Sequence, residues 1–155
     1  MSFIVVGVDA NPTSRIALRI AGREARSRGA DLVVIHVFGR VQRSHPPGDD
    51  VHWPGDREAA RDEAEEFLNT LVQEEIGHVD PADGFVVRTL AVESDHPARV
   101  LVEHSAGASY LVVGSRGLKG FKGELLGSVS QQVVAEAHCP VLVVPHNMNH
   151  DADRH

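Results

Sequence analysis

The sequence has 155 residues, of which 42% are hydrophobic and 24% charged, and this fits one globular domain of the usual ~100–200 residues. The longest apolar run, LVVIHVF, is far shorter than the ~20 residues of a membrane-spanning helix, and the start MSFIVVGVD lacks the basic region of a signal peptide, which together favour a cytoplasmic protein. The net charge of −7 comes from residues 40–80, where eleven acids stand against four Lys or Arg, and it argues against general binding of nucleic acid.

The first elements of the chain alternate apolar runs with a helical pattern. FIVVGV at 3–8 predicts a buried strand. Asn11 and Pro12 then predict the cap and the first residue of a helix, which Gly29 ends. DLVVIHV at 31–37 predicts the second strand.

The alternation continues after a stretch at 38–55 whose Pro, Gly and Asp content is typical of an irregular loop. Asp56 predicts the cap of a long helix that ends at Gly77, with an apolar side toward the core and an acidic side toward solvent. The remaining predicted elements are a strand at 84–92, a short helix within 94–106, a strand at 110–114, a helix that begins at Ser128 and a strand within 140–145.

This order of elements predicts the fold class. Strands that are apolar throughout and alternate with helices are typical of a parallel sheet covered on both faces, hence of an α/β protein. We expect a doubly wound, five-stranded sheet in the order 3-2-1-4-5 with helices on both faces. Ligands bind beyond the carboxyl ends of the strands where such an order reverses. Residues 8–10 and 113–115, at the ends of the first and fourth strands, are therefore candidates for a site.

A glycine-rich segment follows the fourth strand, with five glycines from Gly114 to Gly127. Bare backbone lets N–H groups approach a ligand, and the start of the next helix adds unpaired donors, so the segment predicts an anion-binding site. The chain has no GK[ST] triplet and no GxGxxG after the first strand. These absences argue against a P-loop and against a dinucleotide site.

The spacing of these glycines is specific: Gly114, two residues, Gly117, nine residues, and then Gly127 followed by Ser128. It is the motif of the ATP-binding universal stress proteins, and the chain resembles that family. GVDA after the first strand, VVIHV in the second and CPVLVVP near the end extend the resemblance over a domain at 1–146, with 147–155 expected to be a flexible tail. The resemblance implies a fold like that of the adenine nucleotide alpha hydrolases and a role as a stress-response sensor or regulator.

The resemblance also implies a ligand and its site. The expected ligand is ATP, with ADP or AMP as alternatives, and Mg²⁺ can accompany ATP. By position, Asp9 and Val37 match residues beside the adenosine, Gly114 and Gly117 match a loop on the ribose and inner phosphates, and Gly127 begins the part that meets the outer phosphates. The predicted nucleotide-binding residues are Asp9, Ala10, Val37, Val113, Gly114, Arg116, Gly117, Gly127, Ser128 and Val129.

Two parts of this prediction have alternatives. Ser128 stands three residues before Gln131, the spacing of a capping box, so its hydroxyl could cap the helix, meet a phosphate or do both. Arg116, Lys119 and Lys122 could contact phosphate or be solvated.

The sequence predicts no metal site and no rapid catalysis. Its histidines form no HExxH or similar pair, His36 is expected to be a satisfied core residue, and Cys139 is expected to be a small buried hydrophobe. The tail also carries His146, His150, Asp151, Asp153 and His155, for which a frayed terminus is expected rather than a metal site. Asp9 is the obvious acid at the predicted cleft, and the resemblance puts it at the adenosine end, away from the phosphates.

Two other functions stay open. One is a slow ATPase or autokinase, for which Ser128 and Ser130 would supply the nearest hydroxyls. The other is a nucleotide-independent interaction module of the same family. Whether 38–55 closes over a ligand, and which protein partner the chain has, also stay open.

The last strand predicts self-association. VLVV at 141–144 would be an edge strand with unpaired backbone groups, which proteins seldom leave bare. The family resemblance also implies a homodimer through this strand, and Pro140 and Pro145 would limit further growth of the sheet.

Overall fold

The computed structural model describes residues 2–39, 55–115 and 126–145, in which strands and helices alternate along the chain. The elements are β1 Phe3–Gly7, α1 Pro12–Arg28, β2 Asp31–Phe38, α2 Gly55–Glu75, β3 Val87–Glu93, α3 Pro97–His104, β4 Tyr110–Gly114, α4 Ser128–Glu136 and β5 Val141–Val144. The strands form one parallel sheet in the order β3-β2-β1-β4-β5, so the predicted α/β fold and strand order are confirmed.

The central strand β1 sets the geometry of the sheet. Val5 of β1 lies opposite Val33 of β2 on one side and opposite Leu111 of β4 on the other. Because all the strands are parallel, the carboxyl ends of β1 and β4 lie side by side at one edge of the sheet. The chain leaves β1 and β4 toward different helices, and this divergence opens a cleft between them.

The side chains of β1 alternate between two apolar layers. Ile4 and Val6 pack against α1 and α2, whereas Val5 packs with Leu101 of α3 and Val133 of α4. All five are buried. Burial of each such side chain contributes about 1.5–3 kcal/mol, so the two layers hold the sheet between two pairs of helices.

Helix α1 begins and ends as predicted. The side chain of Asn11 accepts a hydrogen bond from the N–H of Thr13 (3.0 Å), and Pro12 is the first helical residue. Gly29 ends the helix in the left-handed conformation, with φ 62°. Only four residues separate β1 from α1, so the start of this helix stays at the carboxyl edge of the sheet.

Helix α2 begins at Gly55, one residue before the predicted cap, and Gly77 lies just beyond its end with φ 79°. Ion pairs join it to α1: Arg15 contacts Glu74 (2.6 Å) and Glu75 (3.0 Å). The hydrogen bonds to Glu74 and then Glu75 raise the pKa of Arg15 above its ordinary value. Both pairs are partly exposed, so their contribution to stability is small.

Strand β3 begins three residues later than the sequence predicted. Asp80 and Asp83 form a capping box around a short 3-10 helix, Pro81–Asp83, and Gly84 follows with φ 80°. Gly84, the predicted first residue of the strand, instead ends this short helix in the left-handed conformation. Among the described residues, no helix is long and apolar enough to cross a membrane.

Candidate functional site

A cleft of about 160 Å³ lies at the carboxyl ends of β1 and β4, where the strand order reverses. Its lining residues are Gly7, Val8, Asp9, Ser14, Ile35, Val37, Pro97, Leu101, Val113, Gly114, Val129 and Ser130. These side chains are largely apolar, with a few polar groups from Asp9 and two serines. A small organic ligand that carries polar groups suits such a lining.

The β1 side of the cleft is organised around Asp9. Its Oδ1 accepts hydrogen bonds from the N–H of Asn11 and from the hydroxyl of Ser14, both at 2.8 Å. The N–H of Asp9 donates to Oγ of Ser14, also at 2.8 Å. The carboxylate is therefore held in one direction before any ligand arrives.

The β2 side of the cleft consists of Ile35 and Val37, with His36 between them. Nδ1 of His36 lies 2.9 Å from the carbonyl oxygen of Val8. Because a carbonyl only accepts, Nδ1 carries the hydrogen and donates it. The imidazole also packs against the ring of Phe67, with 4.7 Å between the ring centroids. His36 is thus a satisfied, partly buried residue, as predicted, and it ties β2 to the residue before Asp9.

The β4 side of the cleft is joined directly to the start of α4. The N–H of Gly127 donates to the carbonyl of Ser115, and the N–H of Ser115 donates to Val144 of β5 (2.7 Å). The hydroxyl of Ser130 lies 3.1 Å from the carbonyl oxygen of Ser115 and 3.0 Å from that of Gly127. The end of β4 and the first turn of α4 are therefore held together.

Of the alternatives for Ser128, the capping box is excluded, because Ser128 is not the N-cap residue. Helix α4 begins at Ser128, but its N-cap is Gly127, and no side chain in the described part of the chain caps the helix. Gln131 instead donates from its side chain to the carbonyl of Leu126 (2.8 Å). Because the contact with Ser115 fixes Gly127 at the cap position, Ser128 becomes the first helical residue, and its side chain is exposed.

The structure brings half of the predicted site residues together. Those that line the cleft are Asp9, Val37, Val113, Gly114 and Val129. Gly127 and Ser128 adjoin it at the start of α4, and Ala10 is an exposed neighbour of Asp9. Arg116, Gly117, Lys119, Lys122 and the tail histidines lie outside the described residues.

Several residues of the cleft were not predicted from the sequence. Ser14 and Ser130 each follow the cap of a helix by three residues, and that spacing was the available signal. Gly7 was itself a signal, because a glycine in a strand can mark a place where another element packs closely. A Cβ on Gly7 would lie 2.8 Å from Cδ1 of Leu101, so glycine allows α3 to approach β1. Pro97 and Leu101 gave no signal of their own.

Metal binding has no support in the described parts of the chain, where no three His, Cys, Asp or Glu side chains are grouped as ligands. Cys139 is partly buried against the layer that contains α3 and α4. The described cleft therefore offers hydrogen-bonding and apolar groups rather than a metal centre.

Comparison with known proteins identifies the family. Residues 1–145 match the universal stress protein family. The chain belongs to this family. The universal stress protein Rv2623 of Mycobacterium tuberculosis is 39% identical over 140 residues, which are 90% of this chain and 44% of that protein. This universal stress protein therefore spans less than half the length of the curated relatives that it matches.

Solved structures of universal stress proteins have the same fold. UspA from Lactobacillus plantarum aligns with a TM-score of 0.71 and 21% identity over 92% of this chain and 97% of its own. A universal stress protein from Archaeoglobus fulgidus, solved in complex with dAMP, aligns with a TM-score of 0.63 and 25% identity over 93% of this chain and 98% of its own. Some relatives of this universal stress protein thus bind adenine nucleotides.

Proposed function

We propose that this universal stress protein binds ATP, or a related adenine nucleotide, in the cleft between β1 and β4 and acts as a sensor or regulator in a stress response. The observation that carries the proposal is a helix start that no described side chain caps, beside a largely apolar cleft. Val129 and Ser130, from the first turn of α4, line the cleft, and the N-cap Gly127 has no side chain to occupy the free N–H groups.

Each part of the cleft suits one part of a nucleotide. The first N–H groups of a helix have no partner within the helix, and they and the helix dipole stabilise a phosphate. Val37 and Pro97, which are partly exposed in the cleft, offer apolar surface for a base. Asp9, on the β1 side, offers a fixed carboxylate to sugar hydroxyls. The dAMP complex of the Archaeoglobus relative supports the same class of ligand.

We further propose binding without rapid turnover. Phosphoryl transfer needs a placed nucleophile and a group that orients or deprotonates it near the terminal phosphate. Among the described lining residues, Asp9 is the only carboxylate, and its Oδ1 already accepts two hydrogen bonds on the β1 side. Ser130 donates its hydroxyl to the protein, and exposed Ser128 is the accessible alternative for slow autophosphorylation.

Nucleotide binding is tested by release and titration. Freshly purified protein is denatured and the released nucleotide is identified by chromatography; stripped protein is then titrated with ATP, ADP, AMP, adenosine and GTP. Gly114→Val should abolish binding, because it adds a side chain at the cleft. Gly39→Val is the matched control: it also follows a strand at this edge, and a Cβ there meets Asp95 at an ordinary 3.8 Å.

The outcomes separate the functions. Binding of adenine nucleotides by the parent and the Gly39→Val variant, but not by the Gly114→Val variant, is expected. Absence of binding in the stripped parent would favour the nucleotide-independent interaction module. Conversion of bound ATP to ADP, or phosphate on the protein after hours, would favour the slow ATPase or autokinase.

We also propose that the protein forms a homodimer through β5. Strand β5 pairs with β4 through the carbonyls of Pro140 and Val144. They accept hydrogen bonds from the N–H groups of Leu111 and Ser115. In a parallel ladder the alternate residues of β5, Val141 and Val143, therefore direct their N–H and C=O groups outward. A second copy of β5 can pair with these groups and cover the open edge.

The opposite edge, β3, is a matched control for this dimer. Leu142 on β5 and Leu90 on β3 are both 39% exposed. Leu142→Arg should give a monomer by light scattering at micromolar concentration, while Leu90→Arg keeps the dimer mass. A monomeric parent, or dissociation by Leu90→Arg alone, would contradict the β5 interface.

A further inference from the structure

Two serines occupy the same position in the two helices that border the cleft. Counted from the N-caps Asn11 and Gly127, Ser14 and Ser130 are each the third residue of their helix. Both line the cleft, and only 4% of Ser14 and 2% of Ser130 is exposed. Because buried hydroxyls need hydrogen-bond partners, the partners show what each serine holds in place.

Ser14 holds the connection between β1 and α1. Its hydroxyl oxygen accepts from the N–H of Asp9 and donates to Oδ1 of the same residue, both at 2.8 Å. One side chain thus fixes both the backbone and the carboxylate of Asp9. Loss of the hydroxyl would leave the carboxylate held only by the N–H of Asn11, and the N–H of Asp9 without this partner.

Ser130 holds the connection between β4 and α4. Its single hydroxyl hydrogen is shared between the carbonyls of Ser115 and Gly127, at 3.1 and 3.0 Å. Ser115 directly follows β4, and Gly127 is the N-cap of α4. The hydroxyl therefore sets the distance between the end of the strand and the start of the helix.

We propose that Ser14 and Ser130 are positioning residues of the nucleotide site with separate roles. Ser14 orients Asp9 at the nucleoside end, and Ser130 holds the start of α4 at the phosphate end. The inference rests on the proposed nucleotide binding. Each serine donates its hydroxyl hydrogen to the protein, so each acts through a neighbour rather than as a direct donor to the ligand.

The hydrogen bonds around Ser130 make it suitable for substitution. Without its hydroxyl, the carbonyl of Ser115 keeps the N–H of Gly127, and the carbonyl of Gly127 keeps the N–H of Gln131 (3.0 Å). Ser130→Ala thus leaves no buried carbonyl unpaired and is expected to fold.

Ser105 supplies a matched control at the end of α3: it is 1% exposed and donates to the carbonyl of Val102 (3.1 Å), but it does not line the cleft.

The test compares the affinities for adenosine and ATP by calorimetry in the stripped parent and its variants. Ser130→Ala should weaken ATP binding about tenfold, the effect of about one hydrogen bond, and leave adenosine binding unchanged. Ser14→Ala should weaken both ligands equally. Ser130→Thr keeps the hydroxyl and should restore the affinity for ATP, and Ser105→Ala should change neither affinity.

Some results would overturn the inference. They are equal losses for adenosine and ATP in the Ser130→Ala variant, no loss for either, or no rescue by Ser130→Thr. If Ser14→Ala does not fold, the Ser130 and Ser105 variants still decide the question.

A second readout separates this inference from the proposed function. If the parent binds neither adenosine nor ATP, nucleotide binding itself fails. Amide hydrogen exchange in ligand-free protein then still tests the positioning role, because Ser130→Ala should speed exchange of the Gly127 amide about tenfold. Ser105→Ala should not. Unchanged exchange at Gly127 in the Ser130→Ala variant would overturn the role of Ser130.

Discussion

The starts of α1 and α4 lie on opposite sides of one cleft, and they satisfy their backbone groups differently. At α1, the side chain of Asn11 accepts from Thr13, and Pro12 removes one N–H group. At α4, glycine is the N-cap, and among the residues that the structure describes no side chain replaces that bond. Helix α1 is thus completed by side chains of its own sequence, whereas the described residues supply no side-chain cap for the first N–H groups of α4, a position where an anion would be stabilised. Substitutions at the cap of α1 and at the first residue of α4 should therefore separate stability from binding.

The largest expected effect is at the α1 side, in Asp9→Ala. Removal of the carboxylate that accepts from Asn11 and Ser14 should lower the free energy of unfolding by about 3 kcal/mol, since hydrogen bonds to charged groups contribute about 1.5–3 kcal/mol each. Urea unfolding measures it. Asp9→Asn keeps one acceptor oxygen, so its free energy of unfolding should fall less than that of Asp9→Ala. If the urea midpoint of Asp9→Ala equals that of the parent, α1 does not depend on this carboxylate.

A smaller effect is expected at the α4 side, in Ser128→Asp. A carboxylate at the first helical position should repel the phosphates and weaken ATP binding about tenfold. It should leave adenosine binding and the melting temperature nearly unchanged, because acidic residues suit the first turn of a helix. Calorimetric titration with both ligands measures this, with Ser128→Asn as the neutral control of the same shape. Equal weakening by Ser128→Asn would mean that side-chain size, rather than charge, matters here.

The smallest effect is expected for the cap of α1, in Asn11→Ala. Loss of the bond to Thr13 should cost about 1 kcal/mol of stability and leave the affinity for ATP unchanged. Asn11→Ser, which keeps a capping oxygen, should restore the stability measured by thermal unfolding. A loss of ATP affinity that exceeds the loss of stability would show that the Asn11 side chain takes part in binding and would remove the contrast with the cap of α4.

The two edges of the sheet show the same kind of contrast. At β3, Arg61 of α2 donates to the outward carbonyl of Ala91 (3.4 Å), and Arg57 lies 3.8 Å from Glu93. At β5, the outward groups belong to Val141 and Val143, and no described strand pairs with them. The sequence indicated an open edge at β5, but the cover over β3 depends on where α2 lies.

Features that depend on neighbouring residues could be predicted from the sequence alone. Apolar runs gave β1 and β4, and Asn11 and Gly29 gave the two ends of α1, because caps and periodicity act within a few residues of chain. The glycine spacing at Gly114 and Gly127 gave the family. Even the late start of β3 had a local cause, since Asp80 and Asp83 form their capping box within four residues.

Which residues complete the cleft depends on contacts between distant parts of the chain. Ser128 stands at capping-box spacing, yet Gly127 is the cap because it meets Ser115. Ser115 and Gly127 are twelve positions apart in sequence, and β1 and β4 are separated by about a hundred residues. The parallel pairing of β1 with β4 brings the two sides of the cleft together. No local sequence pattern predicts how far apart they lie.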